Sequence, residues 1–172
     1  MTEPIQKPRG TSKQTYRTPR DFLAAVQATF GPIALDLAAD SPHVCERWLG
    51  PGSPWGAKFE DAFAVDWFPL VPTGRIAYLN PPFSNIAPWA RKCVEQAEKG
   101  LRIILLTPFT CGNRQDIVYP HALTLGLRPR LTFDGESSPY PKDIQISILG
   151  FGMVGTGTWR WTDALARRSS AR

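Results

Sequence analysis

Residues 75–107 read RIAYLNPPFSNIAPWARKCVEQAEKGLRIILLT, and the change of period along them decides the fold. Arg75 to Leu79 is a short apolar run of strand length. From Ile86 to Glu98 the period becomes helical, with Pro88 in the first turn and Trp89, Cys93 and Ala97 along one stripe. Gly100 ends that helix. Leu101 to Thr107 is rich enough in Leu and Ile to read as a strand buried on both faces. Strand, helix and strand in this order predict an α/β sheet with a parallel centre.

The pattern extends in both directions. Thr18-Pro19-Arg20-Asp21 opens an earlier helix, with Thr18 as N-cap and Pro19 at the first helical position. Phe22, Leu23, Val26 and Phe30 fall on one face, and Gly31-Pro32 stops it. Ile33 to Leu37 is a short strand. Ser41 to Trp48 reads as a short helix or as irregular chain, and residues 50–61, GPGSPWGAKFED, as loop. Downstream, the sequence predicts a short helix at His121 to Leu125 and a strand at Arg128 to Phe133. Asp143 to Phe151 reads as the last strand, with its return at Thr158 to Trp161. Residues 1–15 form a polar arm, 16–162 one domain, and 163–172 a basic tail.

Composition sets the outer bounds. A chain of 172 residues with 42% hydrophobic content fits one globular core. No apolar run approaches the roughly 20 residues of a membrane span, and MTEPIQKPRG has no apolar segment of a secretory signal. Three cysteines without ligand spacing (Cys45, Cys93, Cys111) read as reduced thiols of a cytoplasmic protein. His43 and His121 stand near no Cys or carboxylate at ligand spacing, so no metal site is expected. The net charge of +5 favours a polyanionic partner, although many basic proteins bind none.

The turn Asn80-Pro81-Pro82-Phe83 carries the chemistry. An exocyclic amine on a nucleobase is a weak nucleophile because its lone pair is delocalised into the ring. A site helps by accepting hydrogen bonds from both amine hydrogens. The Asn80 side-chain oxygen and the Pro81 carbonyl are two such acceptors. Pro82 has a fixed φ and restricts Pro81 before it, so the carbonyl is held rigidly. Phe83 offers a flat apolar face for an unstacked base. The plain alternative is a Pro-rich turn between a strand and a helix. Against it stand the place of the turn after a buried strand and the carboxylates Asp36 and Asp66 near other strand ends, suited to a cationic, ribose-bearing cofactor.

With these residues in place the sequence resembles the phage-type DNA N6-adenine methyltransferase (Dam) family. The matching stretches are TPRDFLAAVQATFG, LDLAAD, DAFAVDW, YLNPPFSNIAPWARKCVEQAEKG, IILLTPFT and RPRLTF, over about residues 16–151. NPPF followed by N-x-x-P-W is the specific part. The resemblance implies a Rossmann-like class I methyltransferase sheet, mostly parallel with an antiparallel C-terminal strand. It implies S-adenosylmethionine as cofactor and DNA, with a flipped adenine, as substrate. By position, Thr18 and Pro19 would line the methionine end of the cofactor, Asp36 would meet its amino group, and Asn80 would border the cofactor as well as the target base. Asp66 would lie near its adenine. Asn80, Pro81, Pro82 and Phe83 would hold the target base.

The sequence departs from that family pattern in two places. No glycine-rich motif follows the first strand, and little chain separates Asp36 from Asp66, leaving little room for a full helix and an obvious ribose carboxylate, a place in which Glu46 could serve. Arg130 in PRLTF either contacts phosphate or braces its loop. Asn113, Arg114 and Lys142 follow strand ends on the expected substrate side and are further candidates for the nucleic acid. Trp89 reads as core, and Trp67 as packed under the sheet. Two alternatives stay open at this level. The same site could methylate RNA bases or protein glutamine, and the missing glycine motif also fits a binding module with a decayed cofactor site.

Overall fold

The computed structural model describes residues 16–39, 44–109 and 113–169, so the expected arm at 1–15 and Cys111 lie outside the described residues. Six strands form one sheet: β1 (Ile33–Asp36), β2 (Ile76–Leu79), β3 (Ile103–Pro108), β4 (Ala122–Arg128), β5 (Ile144–Leu149) and β6 (Gly155–Arg160). Their order is β1-β2-β3-β5-β4-β6. β1, β2 and β3 are parallel. β5 is antiparallel to both β3 and β4, and β6 runs parallel to β4. This is a Rossmann-like α/β sheet in which β5 alone reverses direction.

Helices cover both faces. α1 (Arg20–Phe30) and α4 (Thr162–Ser169) share one side, where Phe22, Leu23 and Val26 pack with Ile76, Tyr78, Ile104, Ile146 and Trp161. α2 (Ile86–Glu98) and α3 (Asn113–Val118) share the other, where Ala90, Cys93 and Val118 meet Ala77, Leu79, Ile103, Leu105 and Leu149. β2, β3 and β5 are buried along their whole length, as strands covered on both faces must be. Among the described residues no helix is long and apolar enough to cross a membrane.

Four expectations are corrected. Thr18 is not the N-cap of α1: Pro19 holds that position, no side chain caps the helix, and the Thr18 hydroxyl is used elsewhere. The stretch read as a helix near 121–125 is strand β4. Its residues alternate, with Leu123 and Leu125 packing toward one face and Ala122 buried on the other, and Gly126 disfavours a helix. The strand expected at 128–133 is loop beyond Arg128. Pro129 has no N–H for a ladder, and Leu131 and Phe133 are buried by packing rather than by pairing. The return strand does not pair with β5, because both edges of β5 are taken by β3 and β4. β6 therefore passes to the free edge of β4. In addition, residues 162–169, most of which were assigned to a basic tail, form α4 against α1.

The connection from β5 to β6 needs glycine. Gly150 has φ +77°, and a Cβ there would stand 2.0 Å from the Leu101 carbonyl oxygen.

Candidate active site

Parallel pairing of β1 with β2 brings their carboxyl ends to one rim. Asp36, the last residue of β1, is in register with Tyr78, and Asn80 follows two residues later. A cleft of about 280 Å³ opens there. Thr18, Asp36, Tyr78, Asn80, Pro81 and Pro82 line its inner side. The outer side is loop: Leu49, Gly50, Glu60, Asp61, Ala62 and Phe63.

The start of the loop side is tied to the sheet by backbone bonds. Asp36 N–H donates to the Arg47 carbonyl at 3.0 Å, and Leu49 N–H donates to the Asp36 carbonyl at 2.8 Å. The chain after β1 thus folds back along the strand end. Gly50 lies so close to Ala39 that a Cβ would stand 2.1 Å from the Ala39 oxygen. Asp36 is only 5% exposed, and its Oδ1 accepts from Ala38 N–H at 3.2 Å.

Asn80 is held by the segment before α1. Its Nδ2 donates to the Tyr16 carbonyl at 2.6 Å and to Thr18 Oγ1 at 3.2 Å. A carbonyl only accepts, so the amide orientation is fixed with the nitrogen toward residues 16–18. Oδ1 therefore faces the opposite way and accepts no hydrogen bond from any described residue. Thr18 Oγ1 also bonds the Tyr78 hydroxyl at 3.0 Å. Burial pushes the Tyr78 phenol far above the usual range, so it stays protonated.

Phe83 lies beside the cleft rather than on its wall. Its ring stacks on Tyr16 at 5.6 Å and meets Phe133 and Tyr140 edge-on at 6.0 and 5.6 Å. Tyr16 therefore touches the cleft, the Phe83 ring and the Asn80 amide.

The other candidate residues divide clearly. Pro19 is buried as the N-cap of α1 and does not line the cleft. Asp66 is not brought to the cleft. It is half exposed and ion-paired with Lys99 at 3.0 Å, and this ammonium holds its carboxyl below the usual range. Glu46 is exposed and off the cleft wall, where the carboxylates present besides Asp36 are Glu60 and Asp61. Arg130 is paired with Asp143 at 3.1 Å, both largely exposed. Lys142 is exposed beside that pair. Asn113 and Arg114 fall in α3, but their side chains lie outside what is described. Trp89, read as core, is half-buried, packs on Phe63 and Trp67, and also lines the cleft.

Asp61, Phe63 and Tyr16 escaped the sequence reading. The stretch with Asp61 and Phe63 is held by Trp67 Nε1, which donates to the Ala62 carbonyl, and from α2 by Lys92 Nζ, which donates to the Phe63 carbonyl. A local motif could not reveal them. The signal available for Tyr16 was an aromatic residue two positions before Thr18-Pro19.

Residues 7–113, more than half of the chain, match the sequence model of the family described as DNA N-6-adenine-methyltransferase (Dam). The chain belongs to that family. Among curated proteins no sequence matches it. The matched span runs through β1, the cleft, the NPPF turn, α2 and β3, and so contains both sides of the site.

Proposed function

We propose that this protein transfers a methyl group from S-adenosylmethionine to N6 of an adenine flipped out of DNA. The observation that carries this reading is the Asn80 amide, locked so that Oδ1 is free beside the rigid Pro81 carbonyl at the rim of the cleft. Two acceptors on adjacent residues of one turn suit a substrate that brings two N–H groups.

The cleft residues fit the cofactor. Asp36 places a largely buried carboxylate on the cleft wall, where the cofactor ammonium would meet it. Glu60 and Asp61 on the loop wall provide carboxylates of the kind that bind a ribose diol, and Leu49, Ala62 and Phe63 provide an apolar surface for a purine. Thr18, which lines the cleft, would border the methionine end. When bound, S-adenosylmethionine supplies an electrophilic methyl group. Asn80 Oδ1 and the Pro81 carbonyl accept the two N6 hydrogens and localise the lone pair of the amine. Phe83 supports the base by stacking. The amine becomes acidic only as it is alkylated, so its proton passes to solvent and no strong base is needed. Orientation carries much of the rate. A duplex adenine must leave its stack, at a cost of a few kcal/mol.

Nucleoside analysis of plasmid DNA from cells expressing the protein tests this directly. N6-methyladenine should appear, and should be missing with Asn80→Ala. Methyl transfer to RNA or protein but not to DNA would replace the reading.

A further inference from the structure

We infer that Thr18, backed by the Tyr78 hydroxyl, is a positioning residue that sets the Asn80 amide for methyl transfer. This rests on the proposed function and adds a residue that acts through Asn80 rather than on the cofactor.

The geometry leads there in steps. Thr18 is 2% exposed and Tyr78 fully buried, although both border the cleft. The Thr18 hydroxyl accepts from Asn80 Nδ2 at 3.2 Å and bonds the Tyr78 hydroxyl at 3.0 Å. A threonine hydroxyl offers one hydrogen and two lone pairs. Two strong partners in a buried place leave it little capacity for a ligand. Its polar group is turned toward Asn80, not toward the cofactor space.

Asn80 needs this second anchor. The bond from Nδ2 to the Tyr16 carbonyl fixes one N–H, but the amide plane can still swing about that single bond. The bond to Thr18 uses the other N–H and stops the swing. Oδ1 then points one way before any substrate arrives. Tyr78 is suited to hold Thr18 because it lies inside β2, two residues before Asn80, on the most buried strand of the rim. Its phenol, pushed up by burial, stays neutral. The clamp is thus built from β2 itself and from the segment leading into α1.

The test uses Thr18→Val and Thr18→Ser in the full chain, with circular dichroism to check folding. Three quantities are read: turnover on DNA, S-adenosylmethionine affinity by calorimetry, and the side-chain amide signals of Asn80 by NMR without any ligand. Thr18→Val should lower turnover on the order of tenfold, the equivalent of one net hydrogen bond. Cofactor affinity should change less than about twofold, well under the loss of one hydrogen bond. One Asn80 amide proton should shift and exchange faster with water. Thr18→Ser should restore most of the turnover and the amide signal. Tyr78→Phe should give an intermediate effect, because Thr18 keeps its bond to Asn80 but loses its own support.

Unchanged amide signals in Thr18→Val would overturn the inference. So would a loss of turnover that tracks a loss of cofactor affinity, since Thr18 would then act on the cofactor. If the parent protein transfers no methyl group to adenine, the proposed function falls and the catalytic role of the clamp falls with it. The amide signals tell these failures apart, because they report the hydrogen bond without the reaction.

Discussion

The side-chain oxygen of Gln96 lies 2.9 Å from the backbone nitrogen of Trp67, and it accepts that N–H from a fully buried position on α2. The same oxygen accepts from Phe68 N–H at 2.9 Å. One side chain thereby satisfies two successive backbone donors of a segment with no regular partner. Trp67 in turn bonds the Ala62 carbonyl at 2.7 Å, so Gln96 indirectly fixes the loop wall that carries Asp61 and Phe63.

Replacing Gln96 by Leu should therefore leave two backbone donors without their acceptor, at about 1–3 kcal/mol for each one that stays buried. Thermal unfolding should show the loss. Cofactor affinity should also fall, although Gln96 does not touch the cleft. A variant as stable as the parent would mean that water or a shifted loop serves both donors.

Asp36 is expected to meet the cofactor ammonium. Asp36→Asn keeps an acceptor for Ala38 N–H and removes the charge, so it separates the two roles. Calorimetry should show S-adenosylmethionine binding weakened by roughly 1.5–3 kcal/mol, the range for a hydrogen bond to a charged group. Unchanged affinity would make Asp36 a structural residue only.

Asn80→Ala and Phe83→Ala should separate in their effects. Asn80→Ala removes one acceptor from the reacting amine and should cost on the order of a hundredfold in turnover, by analogy with other preorganised polar groups at reacting atoms. Its cofactor affinity should hold. Phe83→Ala should weaken capture of DNA by roughly 1–3 kcal/mol of stacking. It should also lower thermal stability, because Phe83 packs on Tyr16, Phe133 and Tyr140. Parent-level methylation by a folded Asn80→Ala protein would reduce NPPF to a turn.

Binding to duplex DNA should weaken steeply with salt, as released counterions require. Lys142 has no ion pair among the described residues, whereas Arg130 already faces Asp143. Lys142→Ala should therefore flatten the log–log salt slope by about one, and Arg130→Ala by less. Asp143→Asn should strengthen binding by freeing Arg130. A slope indifferent to both cations would move the phosphate contacts elsewhere on the surface.

Much of this was legible where chemistry is local. Ile86–Glu98 coincides with the expected helix because Pro88, the apolar stripe and Gly100 all act within a few residues. The NPPF turn announced itself for the same reason. The strand β4 was missed because Ala122 to Leu125 fits either period when taken alone, and its partners β5 and β6 are distant in sequence or come later. Asp66 was chosen by its place in DAFAVDW, but Lys99, 33 residues away, holds it outside the cleft. Asp61 lines the cleft instead, because Gln96 and Trp67 set the path of the loop, and no spacing rule reports that.

The sheet reaches its edge at β1, and among the described residues no strand lies beyond it. The outer wall of the cleft is consequently a loop, anchored by β1 at one end and α2 at the other. Loop length is not bound by strand register, and Gly52 and Gly56 turn in open space. Insertions around residues 52–56 can therefore lengthen this wall without moving Asp36 or Asn80. Under the proposed function, such insertions would alter cofactor affinity while the reacting end of the site stays fixed by the sheet.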